Sequence, residues 1–198
     1  MAALSIVGVA GNVIRPSRTS VLVKAVLAGL AERTGSTPRL IELVDAAPAF
    51  FAALTADRLA GEGKALVKLI EAADVVVVGS PVYRASYTGA FKHLFDLVRP
   101  DVLAGKPVAL MATGGSQLHG LVTEHQLRPL FASFGAQTLP TAIYAGEADF
   151  RDYRITSQAI QDRVERVVNE AVAFLDARAP AALSVAARAA RLPLTVDA

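Results

Sequence analysis

Cysteine is absent from the 198-residue chain, which excludes disulfides, thiolate-bound zinc and a cysteine nucleophile. Also missing is any apolar run near the roughly 18 to 20 residues that cross a bilayer, although 53% of the residues are hydrophobic and the mean hydropathy is +0.42. There is no block of like charge. The 20 basic and 18 acidic residues are interspersed and leave a net charge of +2, so no stripe for nucleic acid is expected. The opening residues, "MAALSIVGVAGN", lack the cationic start and long apolar core of a secretory signal, which makes the cytoplasm the expected location. Neither a GxxxxGK[ST] loop nor a GxGxxG fingerprint occurs, and no His/Asp/Glu spacing suggests a metal site. The carboxylates Glu124, Glu147 and Asp149 are scattered rather than paired as acid and base.

The apolar excess, much of it alanine and valine, must go into a core or a subunit interface, and an oligomer of this chain is expected. "LSIVGV" from Leu4 is a β-branched run followed by loop formers and a helical pattern, "VLVKAVLAGLAER", which Gly35 ends. A second strand is expected near 37–43, a helix near 55–72, and a strand at 74–80. Four consecutive valines there, with no polar alternation, predict burial on both faces and hence a central parallel strand. A helix near 88–98, a strand at 106–113, a helix near 119–133, a fifth strand in "AQTLPTAIY" and a helix near 156–176 complete the alternation. Such a repeat predicts one α/β domain over residues 1–176, a flavodoxin-like three-layer sandwich on a five-stranded parallel sheet of order 2-1-3-4-5, with a C-terminal tail at 177–198.

Ligands of such sheets lie beyond the carboxyl ends of the strands, where the connections diverge. Three loops meet that description. After strand one, "GNVIRPSRTS" offers the hydroxyls of Ser17, Thr19 and Ser20 and the cations Arg15 and Arg18 at a helix start, which favours a phosphate, or else only a Ser17 N-cap with solvated arginines. After strand three come Pro81, Val82, Tyr83 and Arg84, positioned to touch a planar ring, or to form a surface lid and an ordinary ion pair. After strand four, Thr113, Gly114, Gly115 and Ser116 bare backbone N–H groups, as a tight turn also would. His93, His119 and His125 lack partners that would mark them as catalytic.

These stretches resemble the NAD(P)H-dependent FMN reductases of the flavodoxin-like superfamily, and within them the reductases of two-component sulfonate monooxygenase systems. "GVAGNVIRPSRTSVL" is similar to the family's phosphate loop, "GSPVYRASYTGAFKHLFDLV" to its flavin loop and helix, and "ATGGSQLHGLVTEHQLRPLFASFGA" to its third loop and helix. "HQLRPLFASFGAQTLPTAIYAGEADF" is most similar to the methanesulfonate-linked branch. The resemblance implies hydride transfer from NADH or NADPH to FMN, the cofactor carrying the chemistry, with reduced flavin passed to a two-component flavin-dependent monooxygenase. It places the phosphate on Ser17, Arg18 and Thr19, ribityl and ring on Pro81 to Arg84, and the isoalloxazine along Thr113 to Ser116. It further implies a homodimer or homotetramer, and a π-bulge at its interface carrying His125. An FMN-dependent quinone or azo reductase with tightly bound flavin is the alternative on the same fold. A flavodoxin-type carrier fits less well, because such carriers are strongly acidic and this chain is not.

Overall fold

The computed structural model describes residues 4–189. Strands β1 (Ile6–Ala10), β2 (Arg39–Glu42), β3 (Val75–Pro81) and β4 (Pro107–Gly114) form the parallel sheet with β5 (Gln137–Thr138) and β6 (Ile143–Gly146), in the order β2-β1-β3-β4-β5 with β6 also on β4. This is the expected flavodoxin-like order. The fifth strand differs from expectation in being broken in two: β5 pairs with Pro107 and Val108, β6 with Met111 to Gly114. Pro140 falls in the gap, where its missing N–H cannot donate to the ladder.

The valine run behaves as its pattern predicts. Val76 and Val78 face one hydrophobic cluster and Val75 and Val77 the other, all four fully buried. Helices α1 (Arg18–Thr34) and α6 (Gln158–Ala189) cover the second face, whereas α2 (Leu43–Phe51), α3 (Gly61–Ala72), α4 (Gly89–Asp96) and α5 (Arg128–Ala132) cover the first. Phe91, Phe95 and Phe131 lie in the first layer, with the Phe95 and Phe131 rings edge to face at 4.9 Å. Gly35 closes α1 in the left-handed region at φ 67°, its N–H bonded to Ala31 O, as a C-terminal glycine does.

Other elements also depart from expectation. Helix α2, with Pro48 in its interior, lies where no element is expected from the sequence. The helix expected over 119–133 is a 3₁₀ turn (Gln117–His119), a π-helical turn (Thr123–Leu127) and the short α5. A hairpin of β7 (Phe150–Arg151) and β8 (Arg154–Ile155) follows the sheet. Helix α6 continues past residue 176 to Ala189, and the end of the expected tail, 190–198, lies outside the described residues.

Packing requires glycine at position 79 but not at position 115. A Cβ on Gly79 of β3 would meet Val23 Cγ2 at 2.7 Å, whereas one on Gly115 would meet nothing within 4 Å. Gly79→Ala is therefore expected to destabilise by about 1 to 3 kcal/mol through overpacking, and Gly115→Ala to stay within about 0.5 kcal/mol of the parent. Urea denaturation of the two variants checks the contrast.

Candidate functional site

The parallel register brings the carboxyl ends of β1, β3 and β4 to one rim. Gly11, just beyond β1, donates its N–H to Gly79 O at 2.7 Å, and Val82 N–H, just beyond β3, donates to Thr113 O at 2.8 Å. Two hydroxyl contacts fasten the loops to one another. Thr88, the N-cap of α4, donates from Oγ1 to Gly11 O at 2.9 Å and accepts from Phe91 N–H. Thr19 Oγ1 and Thr113 Oγ1 lie 2.6 Å apart, buried, joining the start of α1 to the end of β4.

Between these loops opens a cavity of about 260 Å³ whose wall includes Ser17, Arg18 and Thr19 from the first loop, Pro81, Val82 and Tyr83 from the second, and Thr113, Gly114 and Gly115 from the third. Nine of the thirteen loop residues singled out in the sequence thus share one concavity. Asn12, Ile14, Pro16 and Tyr153 complete it. Tyr153 was not foreseen. It stands at the turn of the β7–β8 hairpin, where Asp152 and Tyr153 both have positive φ (48° and 55°), and the Asp-Tyr pair gives only a weak turn signal without glycine. Asn12 was also missed, being read as a loop former.

The other four residues have local occupations, Ser20 donating its hydroxyl to Glu42. Arg15 bonds Asp45 at 2.6 and 2.5 Å and Glu42 at 3.1 Å, which turns its guanidinium to the β2–α2 corner instead of the cavity. Arg84 sits with Ala85 at the tip of a two-residue turn, φ 51° and 63°, closed by Tyr83 N–H to Ser86 O at 2.8 Å and its reciprocal at 3.1 Å; the turn carries Arg84 out to solvent. Ser116 caps the 3₁₀ turn by accepting from Leu118 N–H at 3.2 Å, and its carbonyl accepts from the Tyr144 hydroxyl. Ser17 is an N-cap too, accepting from Ser20 N–H at 3.2 Å, yet it still lines the cavity.

Electrostatically the cavity has one charged side chain among its lining residues, Arg18. Its Nη2 donates to Glu147, and its guanidinium carbon lies 6.0 Å from the Tyr153 ring centroid. With the amino end of α1 beside it, the arrangement suits an anionic group. The bare backbone at Gly114 and Gly115 and the rings of Tyr83 and Tyr153 suit something flat and partly apolar. The histidines stand apart. His93 stacks on Phe51 at 5.2 Å with a 3° interplanar angle, and an exposed His125 occupies the middle of the π-helical turn, at the position where the resemblance implied such a bulge. Among the described residues no group of three His, Cys, Asp or Glu side chains is gathered as for a metal ion, and no helix is long and apolar enough to cross a membrane.

The model of the family described as NADPH-dependent FMN reductase matches residues 4–150. NADH-dependent FMN reductase SfnF of Pseudomonas fluorescens is 48% identical over 168 residues, 85% of this chain and 90% of that protein. An FMN reductase (NADPH) of Pseudomonas aeruginosa is 45% identical over 173 residues, covering 87% and 93%. Among solved structures, the apo form of an NADH:FMN oxidoreductase (EMOB) superposes with a TM-score of 0.76 at 29% identity, over 84% of this chain and 87% of the other.

Glu42 ties the cavity loop to the sheet edge. Burial pushes its carboxyl up, but hydrogen bonds from Ser20, Arg15 and Lys24 together outweigh this and hold it below the usual range. A carboxylate lowered on folding adds stability above its unfolded value, about 4.3, and loses it as pH falls through the folded value. Glu42→Gln is expected to cost about 1 kcal/mol at neutral pH and to flatten the acid limb below about pH 5, as read by thermal melts across pH.

Proposed function

The chain belongs to the NADPH-dependent FMN reductase family, and on that premise we propose that its cavity binds FMN for reduction by NADH or NADPH. When bound, FMN accepts a hydride from the reduced nicotinamide. The observation that carries the placement is the meeting of all three loops at one cavity with Arg18 as its charged wall. Residues present fit the group. Asn12 Oδ1 is buried with no hydrogen-bond partner among the described residues, an acceptor left for a hydroxyl-rich ligand. The space beside Gly115 is open, as a flat ring requires.

In this reading Ser17, Arg18 and Thr19 hold the phosphate through hydroxyls, guanidinium and the first N–H groups of α1. Pro81, Val82 and Tyr83 hold ribityl and ring edge. Thr113, Gly114 and Gly115 present backbone to the isoalloxazine. In this reading the side chains of the cavity bind and orient the flavin and exclude water, and the cofactor carries the chemistry. Arg84 and Ser116 follow directly on lining residues but are not themselves part of the cavity wall.

The likeness of the three loops to reductases of two-component sulfonate monooxygenase systems supports a separate flavin-dependent monooxygenase as acceptor of the reduced flavin, in the cytoplasm. Leu118 and Leu121, 92% and 63% exposed just before the π-helical turn, support that face, with His125, as the contact between copies in a homodimer or homotetramer.

Oxidation of NADH or NADPH by the purified protein, followed at the nicotinamide absorbance band, is expected to depend on added FMN. Turnover with a quinone and none with free FMN would overturn the reading. In flavin-fluorescence titrations, replacing Ser17 and Arg18 together by alanine is expected to raise the Kd for FMN more than tenfold, above about 1.4 kcal/mol. Arg15→Ala is expected to change it less than about threefold, since its charge is already taken by exposed partners.

A further inference from the structure

We propose that Glu147 competes with the ligand phosphate for Arg18 and thereby sets flavin affinity low. The inference rests on the placement of the FMN phosphate at Arg18 given above. Arg18 has two grips, and they act in opposite senses on an arriving anion. Tyr153 lies against the guanidinium, with 6.0 Å from its carbon to the ring centroid, and this contact orients the cation without adding charge of the ligand's sign. Glu147 binds the guanidinium through a carboxylate, which has the same sign as the phosphate.

The carboxylate is held where it must interfere. Gly146 pairs in register with Gly114 of the cavity wall, and its N–H donates to Asp149 Oδ2 at 2.7 Å. A 3₁₀ turn over Glu147–Asp149 follows directly, so Glu147 hangs from the sheet beside the third loop rather than from a free segment. The hairpin that presents Tyr153 is equally determined, its two turn residues sitting in a sparsely populated backbone region.

Solvent exposure decides between rivalry and preorganisation. The Glu147 side chain is 68% exposed and that of Arg18 35%, so water screens the pair and it orders the guanidinium weakly. A phosphate dianion makes stronger, charge-assisted contacts with the same donors. Glu147 thus gives up Arg18 on binding, and its displaced charge then stands near the phosphate. The net effect is to weaken binding of a phosphorylated flavin and to speed its departure, which suits a flavin that must leave for another protein. An uncharged flavin does not feel it.

The test titrates FMN and riboflavin, by flavin fluorescence, into the full-length parent, Glu147→Gln, Arg18→Ala and the double variant. Glu147→Gln is expected to lower the Kd for FMN about threefold to tenfold and that for riboflavin by less than about twofold. In the Arg18→Ala background the same substitution is expected to change FMN affinity by less than about twofold. Unchanged or weaker FMN binding by Glu147→Gln, an equal gain for riboflavin, or an equal gain in the Arg18→Ala background would overturn the competition while leaving the flavin site standing. Arg18→Ala with unaltered FMN affinity would instead overturn the phosphate placement, and the competition with it.

Discussion

Val75 to Val78 present no polar atom on either side of β3, so each face of the sheet needs its own hydrophobic layer, and both layers are supplied. Helices on both faces of a parallel sheet send every connection from the carboxyl end of one strand back over the sheet. The exposed polar backbone therefore collects along that rim. β1 and β3 are neighbours in the sheet but not consecutive in the chain, so the loops that follow them leave in different directions and open a gap between them. The cavity is a consequence of burying four valines.

The gap is kept at a fixed width by short hydrogen bonds rather than by bulk. Gly11 to Gly79, Thr88 to Gly11, and Thr19 to Thr113 cross it at 2.7, 2.9 and 2.6 Å. Each bond satisfies a buried polar group that would otherwise be costly. Thr19, Thr88 and Thr113 are all buried, so the rim is rigid where it touches the core. Charge is sorted by the same geometry. Arg15 and Arg18 are three residues apart, yet one is spent on Glu42 and Asp45 and the other reaches the cavity.

How much of this the sequence discloses depends on whether the cause is local. The valine run, the glycine stop after α1 and the three loops follow from composition and period, and they lead to the sheet order and to nine of the cavity's residues. Arg15 was assigned to the site because a cation in a hydroxyl-rich loop looks available; its partners, Glu42 and Asp45, are distant enough in sequence that only the fold reveals them. Arg84 sits outside the cavity wall on a two-residue turn built without glycine, where the usual signal for positive φ is missing. Tyr153 and Asn12 reach the cavity through tertiary placement alone. Helix α2 stayed hidden because its proline argues against the burial of Leu43, Ala46 and Phe50 that stabilises it. The break in the fifth strand was legible in principle from Pro140, and was read as a continuous strand because the flanking residues have strong β character.

That break, taken with the shape of β2, governs what the margins of the sheet can accept. At one margin of the sheet β2 offers only four residues, bearing the charged Arg39 and Glu42; at the other, Pro140 divides β5 from β6, and Thr141 is occupied by Glu170 through N–H and hydroxyl. Neither margin is a template on which a foreign ribbon can add without interruption. Open-ended growth of the sheet from either margin is thereby disfavoured.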